Sequence, residues 1–308
     1  MNNNGEELTK LNINWYPGHM AKTKKQILQD IKLIDVVIEI LDARIPISSQ
    51  NPDIKNMIGS KKKIIVLNKC DLSDQKENDK WVKYFEKKGI KAILTDSNLG
   101  KGMQNVIKAV ELIMNEDRNL QQVKGRIGKS IRVLILGIPN VGKSSFINRI
   151  AKKSSTQVGN RPGVTKQKQW IRLSNNIELL DTPGVLWPKF QNEEIALNLA
   201  YVGTIKEDIL EKTEIAFYLL KFLMNNYRQN LIIRYKIQEN ELEKLIKESY
   251  NENEKVVKLM ELIGQKRGAI TTGSKIDEEK IAGIIIEDFR KSKLGKITIE
   301  KVKEMEEV

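Results

Sequence analysis

Residues 137–144 read Gly-Ile-Pro-Asn-Val-Gly-Lys-Ser, a Gly-x4-Gly-Lys-Ser spacing that follows the apolar run Ile131–Leu136 and opens a helical stretch. A glycine-bounded loop between strand and helix aims backbone N–H groups and the positive end of the helix at one point, which is the chemistry of phosphate binding. Gly137 and Gly142 let the backbone wrap, with Asn140 and Val141 inside the loop and Ser145 just beyond it. Lys143 is expected at the outer phosphates and Ser144 on Mg²⁺. Further along, a second strand-like run ends in Asp181-Thr182-Pro183-Gly184. A carboxylate there suits a water-mediated contact to Mg²⁺, and the Gly184 N–H can approach a terminal phosphate. Between the two lies Gly159–Thr165. Thr165 reads as a residue that closes on Mg²⁺ only when a γ-phosphate is present, or else as an exposed loop threonine.

A different chemistry follows the apolar run before Asn68-Lys69-Cys70-Asp71. A carboxylate at Asp71 can accept two hydrogen bonds from guanine, at N1–H and the exocyclic amine. Adenine has an acceptor at N1 and no matching amine. A site left with unpaired buried polar groups rejects the wrong ligand by roughly 10⁴-fold. Lys69 would pack along the base and Asn68 would brace neighbouring loops. Ser97 and Asn98, after the run Lys91–Thr95, read as a second base-contacting loop. By itself an Asn-Lys-x-Asp string is an ordinary polar loop; beside a phosphate loop it specifies GTP.

These loops need a scaffold that brings strand ends together. The strand-like runs are Asp35–Leu41, Lys63–Leu67, Lys91–Leu94, Ile131–Leu136 and Ile177–Leu180, β-branched and nearly uninterrupted, as strands buried on both faces should be. Helix-like segments near Met20–Ile34, Asp74–Lys88, Met103–Met114 and Lys143–Ala151 alternate with them. The pattern predicts an α/β fold, a doubly wound, mostly parallel sheet. After Trp187 helical periodicity takes over, at Ile215–Leu223, Glu239–Lys247, Lys255–Gly264 and Glu278–Lys291, with a turn at Gly268–Lys275. The expected division is a GTPase domain over residues 1–190 and a smaller all-helical domain over 191–308.

The usual GTPase order is phosphate loop, switch motifs, then base motifs. Here the base motifs come first, so the domain is circularly permuted. All these loops sit at strand ends of one sheet, and the site can be unchanged in space. Residues Asn115–Lys129 would join the usual termini, since 15 residues reach at most roughly 50 Å. The new cut falls just after Gly184, which attaches the helical domain to a segment that senses the γ-phosphate. Nucleotide state is therefore expected to reposition that domain.

Bulk properties narrow the partners. The single cysteine, Cys70, excludes a disulfide framework and a Cys-rich zinc module. No apolar run approaches the roughly 20 residues that span a bilayer, and the first residues lack a secretory pattern, so a cytoplasmic protein with no membrane partner is expected. Lys and Arg number 53 against 40 Asp and Glu, a formal charge of +13. That field suits a polyanion such as RNA, although a Lys-, Ile- and Asn-rich composition can also follow from the genome's base usage.

The motif order, with Trp15-Tyr16-Pro17-Gly18-His19-Met20 ahead of it, Asp42-Ala43-Arg44, residues 160–166 and the stretch 288–298, resembles the circularly permuted GTPases of ribosome assembly, and among them the ribosome biogenesis GTPase A family, nearly end to end. The resemblance implies a GTP-hydrolysing switch in late maturation of the large ribosomal subunit, bound to its rRNA or precursor particle in the GTP state and monomeric when free. It makes the helical tail the main RNA-docking module, with Lys291, Lys293 and Lys296 as phosphate contacts or as plain solvated charges. It implies Mg²⁺ and permits K⁺ at Asn140 beside the phosphates, where Asn140 can equally serve only to stabilise the loop. The position after Gly184, where small GTPases carry a water-orienting Gln, is Val185 followed by Leu186, so another group must place the water. His19, the one histidine, titrates near neutrality and is the catalytic candidate; it can equally start a surface helix or meet RNA. Two further readings are a GTP-regulated RNA-binding scaffold with little hydrolysis and a GTPase of tRNA modification or membrane remodelling. The motif combination disfavours the latter.

Overall fold

Long apolar runs that hide both faces make the centre of the sheet. A computed structural model of the chain describes residues 25–122, 130–154, 169–173, 176–182, 184, 193–205, 211–271 and 275–302. The strands are β1 (Val36–Asp42), β2 (Lys62–Asn68), β3 (Lys91–Thr95), β4 (Ile131–Leu136), β5 (Gln169–Leu173) and β6 (Ile177–Asp181), in the spatial order β3-β2-β1-β4-β6-β5. All neighbours are parallel except β5 against β6. Every residue of the central β1 is buried, as a parallel strand covered on both faces requires. Register pairs Asp42 with Asn68, Asn68 with Thr95, and Ile135 with Asp181, so the functional strand ends lie at one edge.

The helices of this unit are α1 (Asp53–Ile58), α2 (Gln75–Lys87), α3 (Met103–Gln122) and α4 (Lys143–Ser154). Asp74 starts α2 as an N-cap, its carboxylate accepting from Lys76 N and Glu77 N. Trp81 and Phe85 of α2 pack with Leu41, Ala43, Ile65 and Leu67. On the other side Ile27, Ile34 and Val37 cluster with Ile54, Met57, Leu134 and Leu180. The segment expected to join the old termini begins as helix, because α3 continues to Gln122. A helical residue advances only about 1.5 Å, so those positions span far less than an extended linker. The edge strand β5 and the six-residue α1 have no counterpart among the sequence-predicted elements.

The second unit is helical: α5 (Glu193–Tyr201), α6 (Lys212–Asn226), α7 (Arg228–Tyr235), α8 (Glu239–Lys247), α9 (Glu252–Arg267) and α10 (Glu278–Arg290). Ile215, Ala216, Leu219, Leu220 and Leu223 on α6 repeat the spacing of Ile281, Ala282, Ile285, Ile286 and Phe289 on α10, and the two buried stripes pack together. Within it Asp288 is buried and receives the Arg234 guanidinium as a fork at 2.8 and 2.9 Å. Burial pushes the Asp288 carboxyl upward, but Arg234 and Lys293 outweigh it and leave the pKa below the ordinary value.

The chain divides into Met1–Gln191 with Glu300–Val308, and Asn192–Ile299. The division expected at residue 191 with everything beyond it helical is therefore corrected at its far end. The helical unit stops at Ile299, and Glu300 rejoins the first unit through hydrogen bonds to Arg44, Ile47, Ser48 and Trp81.

Candidate functional site

In space the sheet runs from β1 through β2 to β3 on one side and from β4 through β6 to β5 on the other, the chain reaching the edge strand β5 before it returns as β6. Strand order reverses between β1 and β4, and such a switch point opens a crevice at the carboxyl ends of the strands. Asp42, Asn68, Thr95 and Asp181 end their strands there, and Gly137 follows β4.

The loop after β4 is shaped by what cannot fit. A Cβ on Gly137 would stand 2.7 Å from Ile40 O, and one on Gly142, at φ +94°, would stand 2.4 Å from Asn68 Nδ2. Both approaches are closed to any other residue. Ile138, Val141 and Phe146 are buried and pin the loop to the core, leaving Ser144 half-buried and Ser145 exposed at the start of α4. Asn140 takes a left-handed φ of 64°. Lys143 folds back over the loop, its Nζ donating to Gly137 O at 3.1 Å and Ile138 O at 3.4 Å. Burial drives its pKa down from 10.5 to about 8, with Asp181 working in the opposite direction. Gly184 lies against the same amine: a Cβ there would come within 2.9 Å of both Lys143 Nζ and Pro139 N. The phosphate loop and the end of the β6 segment thus converge on one lysine.

The base loop is stitched to the phosphate loop. Asn68 Nδ2 donates to Val141 O at 2.8 Å, while its Oδ1 accepts from Ser97 Oγ at 2.7 Å, Thr95 Oγ1 at 3.1 Å and Ser97 N at 3.2 Å. One buried amide thereby joins three loops. Lys69 Nζ donates to Asn140 O at 2.6 Å and pairs with Asp42 at 2.9 Å. Asp71 is half-buried in the turn that follows, and Asn98 is exposed beside the buried Ser97.

Mg²⁺ takes few protein oxygens and keeps several waters. Among the described residues no group of three or more His, Cys, Asp or Glu could hold a metal ion. The Ser144 hydroxyl and the Asp181 carboxylate are a donor set of the sparse kind that Mg²⁺ shares with phosphate oxygens and water. The residues present fit the ion, with Asp181 buried at the end of β6 and coupled electrostatically to Lys143. His19, Thr165, Val185 and Leu186 lie outside the described residues.

Several residues of this region had no role from the sequence alone. Asp42, fully buried, holds Arg44 through a fork of 2.9 and 2.8 Å and holds Lys69 as well. Burial raises its pKa, yet Arg44 and Lys69 reverse this and keep the carboxyl far below the usual range. Asn78 on α2 donates to Cys70 O and accepts from Ser73 Oγ, bracing the base loop from behind. Asp96 accepts from Asn98 N and Leu99 N, and Arg149 of α4 donates to Ser97 O at 3.2 Å. A charged residue closing an otherwise apolar strand was the available signal for Asp42. Of the three tail lysines, Lys291 pairs with Glu287, Lys293 lies 3.4 Å from Asp288, and Lys296 is exposed.

Comparison with known proteins agrees with this geometry. The family described as 50S ribosome-binding GTPase matches residues 132–261, which takes in the phosphate loop and Asp181 and leaves out the base loop that precedes them in this chain. The chain is 42% identical over 295 residues to Ribosome biogenesis GTPase A of Bacillus cereus, covering 96% of each. A GDP-bound YlqF structure matches with a TM-score of 0.65 at 25% identity, covering 90% of this chain and 99% of that one. A GNP-bound YlqF from T. maritima matches at 0.61 and 26%, covering 92% and 100%. The protein is a GTPase, and likeness of that extent, carried on a sheet whose base loop precedes its phosphate loop, means that the chain belongs to the ribosome biogenesis GTPase A family.

Proposed function

We propose that this GTPase times a late step in assembly of the large ribosomal subunit, docking on a precursor particle and its rRNA in the GTP state and leaving after hydrolysis. The observation that carries the reading is the 42% identity, over 96% of each chain, with a relative named for ribosome biogenesis. The formal charge of +13 supports an RNA partner. Among the described residues no helix is long and apolar enough to cross a membrane, and the proposed setting is the cytoplasm.

In this reading Asp71 selects guanine, Asn68, Lys69, Ser97 and Asn98 frame the base, and Asn140, Val141, Gly142, Lys143, Ser144, Ser145 and Gly184 hold the phosphates. Ser144, Thr165 and Asp181 serve Mg²⁺, the ion that neutralises charge between the outer phosphates. Thr165 closes only over GTP. K⁺ beside Asn140 adds a second positive charge. With Val185 in place of a water-orienting side chain, His19 orients the attacking water, and the particle brings it into place.

The test is GTP turnover with and without large-subunit precursor particles, for the wild-type chain and His19→Ala, in matched sodium and potassium buffers. Stimulation by particles that is lost in His19→Ala and greater in potassium is expected. Wild-type turnover by His19→Ala on particles would remove His19 from the chemistry. Equal rates in the two salts would remove K⁺. Failure of the GTP-analogue form to crosslink to large-subunit particles would overturn the ribosomal reading itself.

A further inference from the structure

Glu300 is the first residue after the helical unit, and it is held more firmly than a passing tail requires. Its carboxylate accepts from Ile47 N at 2.6 Å, from Ser48 N at 2.9 and 3.1 Å, and from the Ser48 hydroxyl. Its own N–H donates to Arg44 O at 3.3 Å, and its carbonyl accepts from Trp81 Nε1 at 2.8 Å. Val302 then packs onto the cluster that contains Leu41, Ala43, Leu67 and Trp81.

The loop it grips leads to the nucleotide site. Arg44 forks onto Asp42, Asp42 also holds Lys69, and Lys69 Nζ donates to Asn140 O of the phosphate loop. Ser49, in the same loop, donates from Oγ to Ile45 O and accepts from Asp42 N. Position 300 is thus linked to the phosphate loop through Arg44, Asp42 and Lys69, by hydrogen bonds that are mostly charge-assisted. We infer that Glu300 is a positioning residue for nucleotide binding: the returning chain clasps the Arg44–Ser49 loop and thereby fixes Lys69 against the phosphate loop. The clasp rests on the reading of Lys69 as a base-site residue. By linkage, what the clasp does for the nucleotide, the nucleotide must do for the clasp.

The experiment uses the full chain with a fluorescent GDP analogue, comparing wild type, Glu300→Ala, Glu300→Gln, Ser48→Ala and Lys69→Ala. Lys69→Ala tests the underlying site, and unchanged affinity there would refute the base-site reading and the clasp with it. Given a weakened Lys69→Ala, Glu300→Ala is expected to raise the dissociation constant about tenfold, with Ser48→Ala and Glu300→Gln between it and wild type. The KM for GTP should rise in step while kcat stays level, because the clasp touches no reacting atom. A merely structural glutamate would lower thermal stability and leave KM alone. Should Glu300→Ala fail to fold, amide exchange in the wild-type chain decides: GDP must slow exchange at the Ile47 and Ser48 N–H groups by a similar factor. Wild-type affinity in a folded Glu300→Ala, or exchange at those amides indifferent to GDP, overturns the proposal.

Discussion

Nucleotide binding should draw a proton from solution, and the amount should grow with pH across the neutral range. The source is Lys143, whose pKa burial pulls from 10.5 to about 8, Asp181 offsetting part of the effect. Phosphate oxygens placed beside the amine favour its charged form and lift the pKa well above that value. The fraction of neutral lysine before binding then equals the protons taken up: about 0.1 per nucleotide at pH 7 and about 0.5 at pH 8. In affinity terms GDP binding weakens about fourfold between pH 7 and pH 8.5. Calorimetric titration with GDP in buffers of different ionisation enthalpy measures the uptake directly. At pH 8 the last phosphate ionisation is complete and guanine N1 has not begun to ionise, so the lysine dominates. Lys143→Arg, whose guanidinium stays charged, should abolish the uptake. No uptake at pH 8, or uptake that falls as pH rises, would refute the assignment. The shift also bears on stability without nucleotide. The folded value lies below the unfolded one, so the penalty of about 3 kcal/mol acts in full below pH 8 and is relieved as pH climbs from 8 towards 10.5.

Asp71→Asn replaces the paired acceptors facing guanine with one acceptor and one donor, the complement of xanthine. GTP affinity is expected to fall by about 10² to 10⁴ and XTP affinity to rise, measured by competition, and a retained preference for GTP would count against Asp71. Gly142→Ala puts a Cβ 2.4 Å from Asn68 Nδ2 at a φ of +94°, so the bridge from Asn68 to Val141 must break. Loss of nucleotide binding and about 2 kcal/mol of stability should follow in urea unfolding. Asp42→Asn strands the Arg44 guanidinium, 2% exposed, and should cost about 3 to 5 kcal/mol in the same assay. The wild-type Asp42 pair contributes above the ordinary carboxylate value of 3.8, and its contribution disappears only as pH falls beneath it.

The elements that could be read from the sequence are those whose burial is local in the chain. Val36–Asp42 and Ile131–Leu136 hide both faces, so nearly every residue is apolar and the run announces itself. Gln169–Leu173 is an edge strand with Trp170 and Arg172 exposed, and no apolar run survives that arrangement. At the site, Asn68 and Lys143 were legible because glycine spacing and strand context fix their loops. Asp42 and Arg44 stood out only as a short string, since nothing near them in sequence reveals that Asp42 also holds Lys69. Glu300 could not be read at all. Its partners lie at positions 44, 47, 48 and 81, and pairing at that separation leaves no periodicity in the chain.

Permutation alters when the site can become whole as the chain grows, though it leaves the strand ends together. β1, β2 and β3 precede the phosphate loop, and the pairing of β1 with β2 and of β2 with β3 does not involve β4. Yet Asn68 cannot complete its bonds without Val141 O, nor Lys69 without Asn140 O. The base loop is finished only by the phosphate loop, and Arg149 of α4 adds a third crossing at Ser97 O. Recognition of base and of phosphate is consequently one cooperative property: a change that loosens Asn140 or Val141 reaches Lys69 and Asn68 through shared hydrogen bonds. Energies of groups in one such network do not add. Single substitutions on the two sides should each cost much of what the double substitution costs, a pattern that two independent subsites on a rigid sheet would not produce.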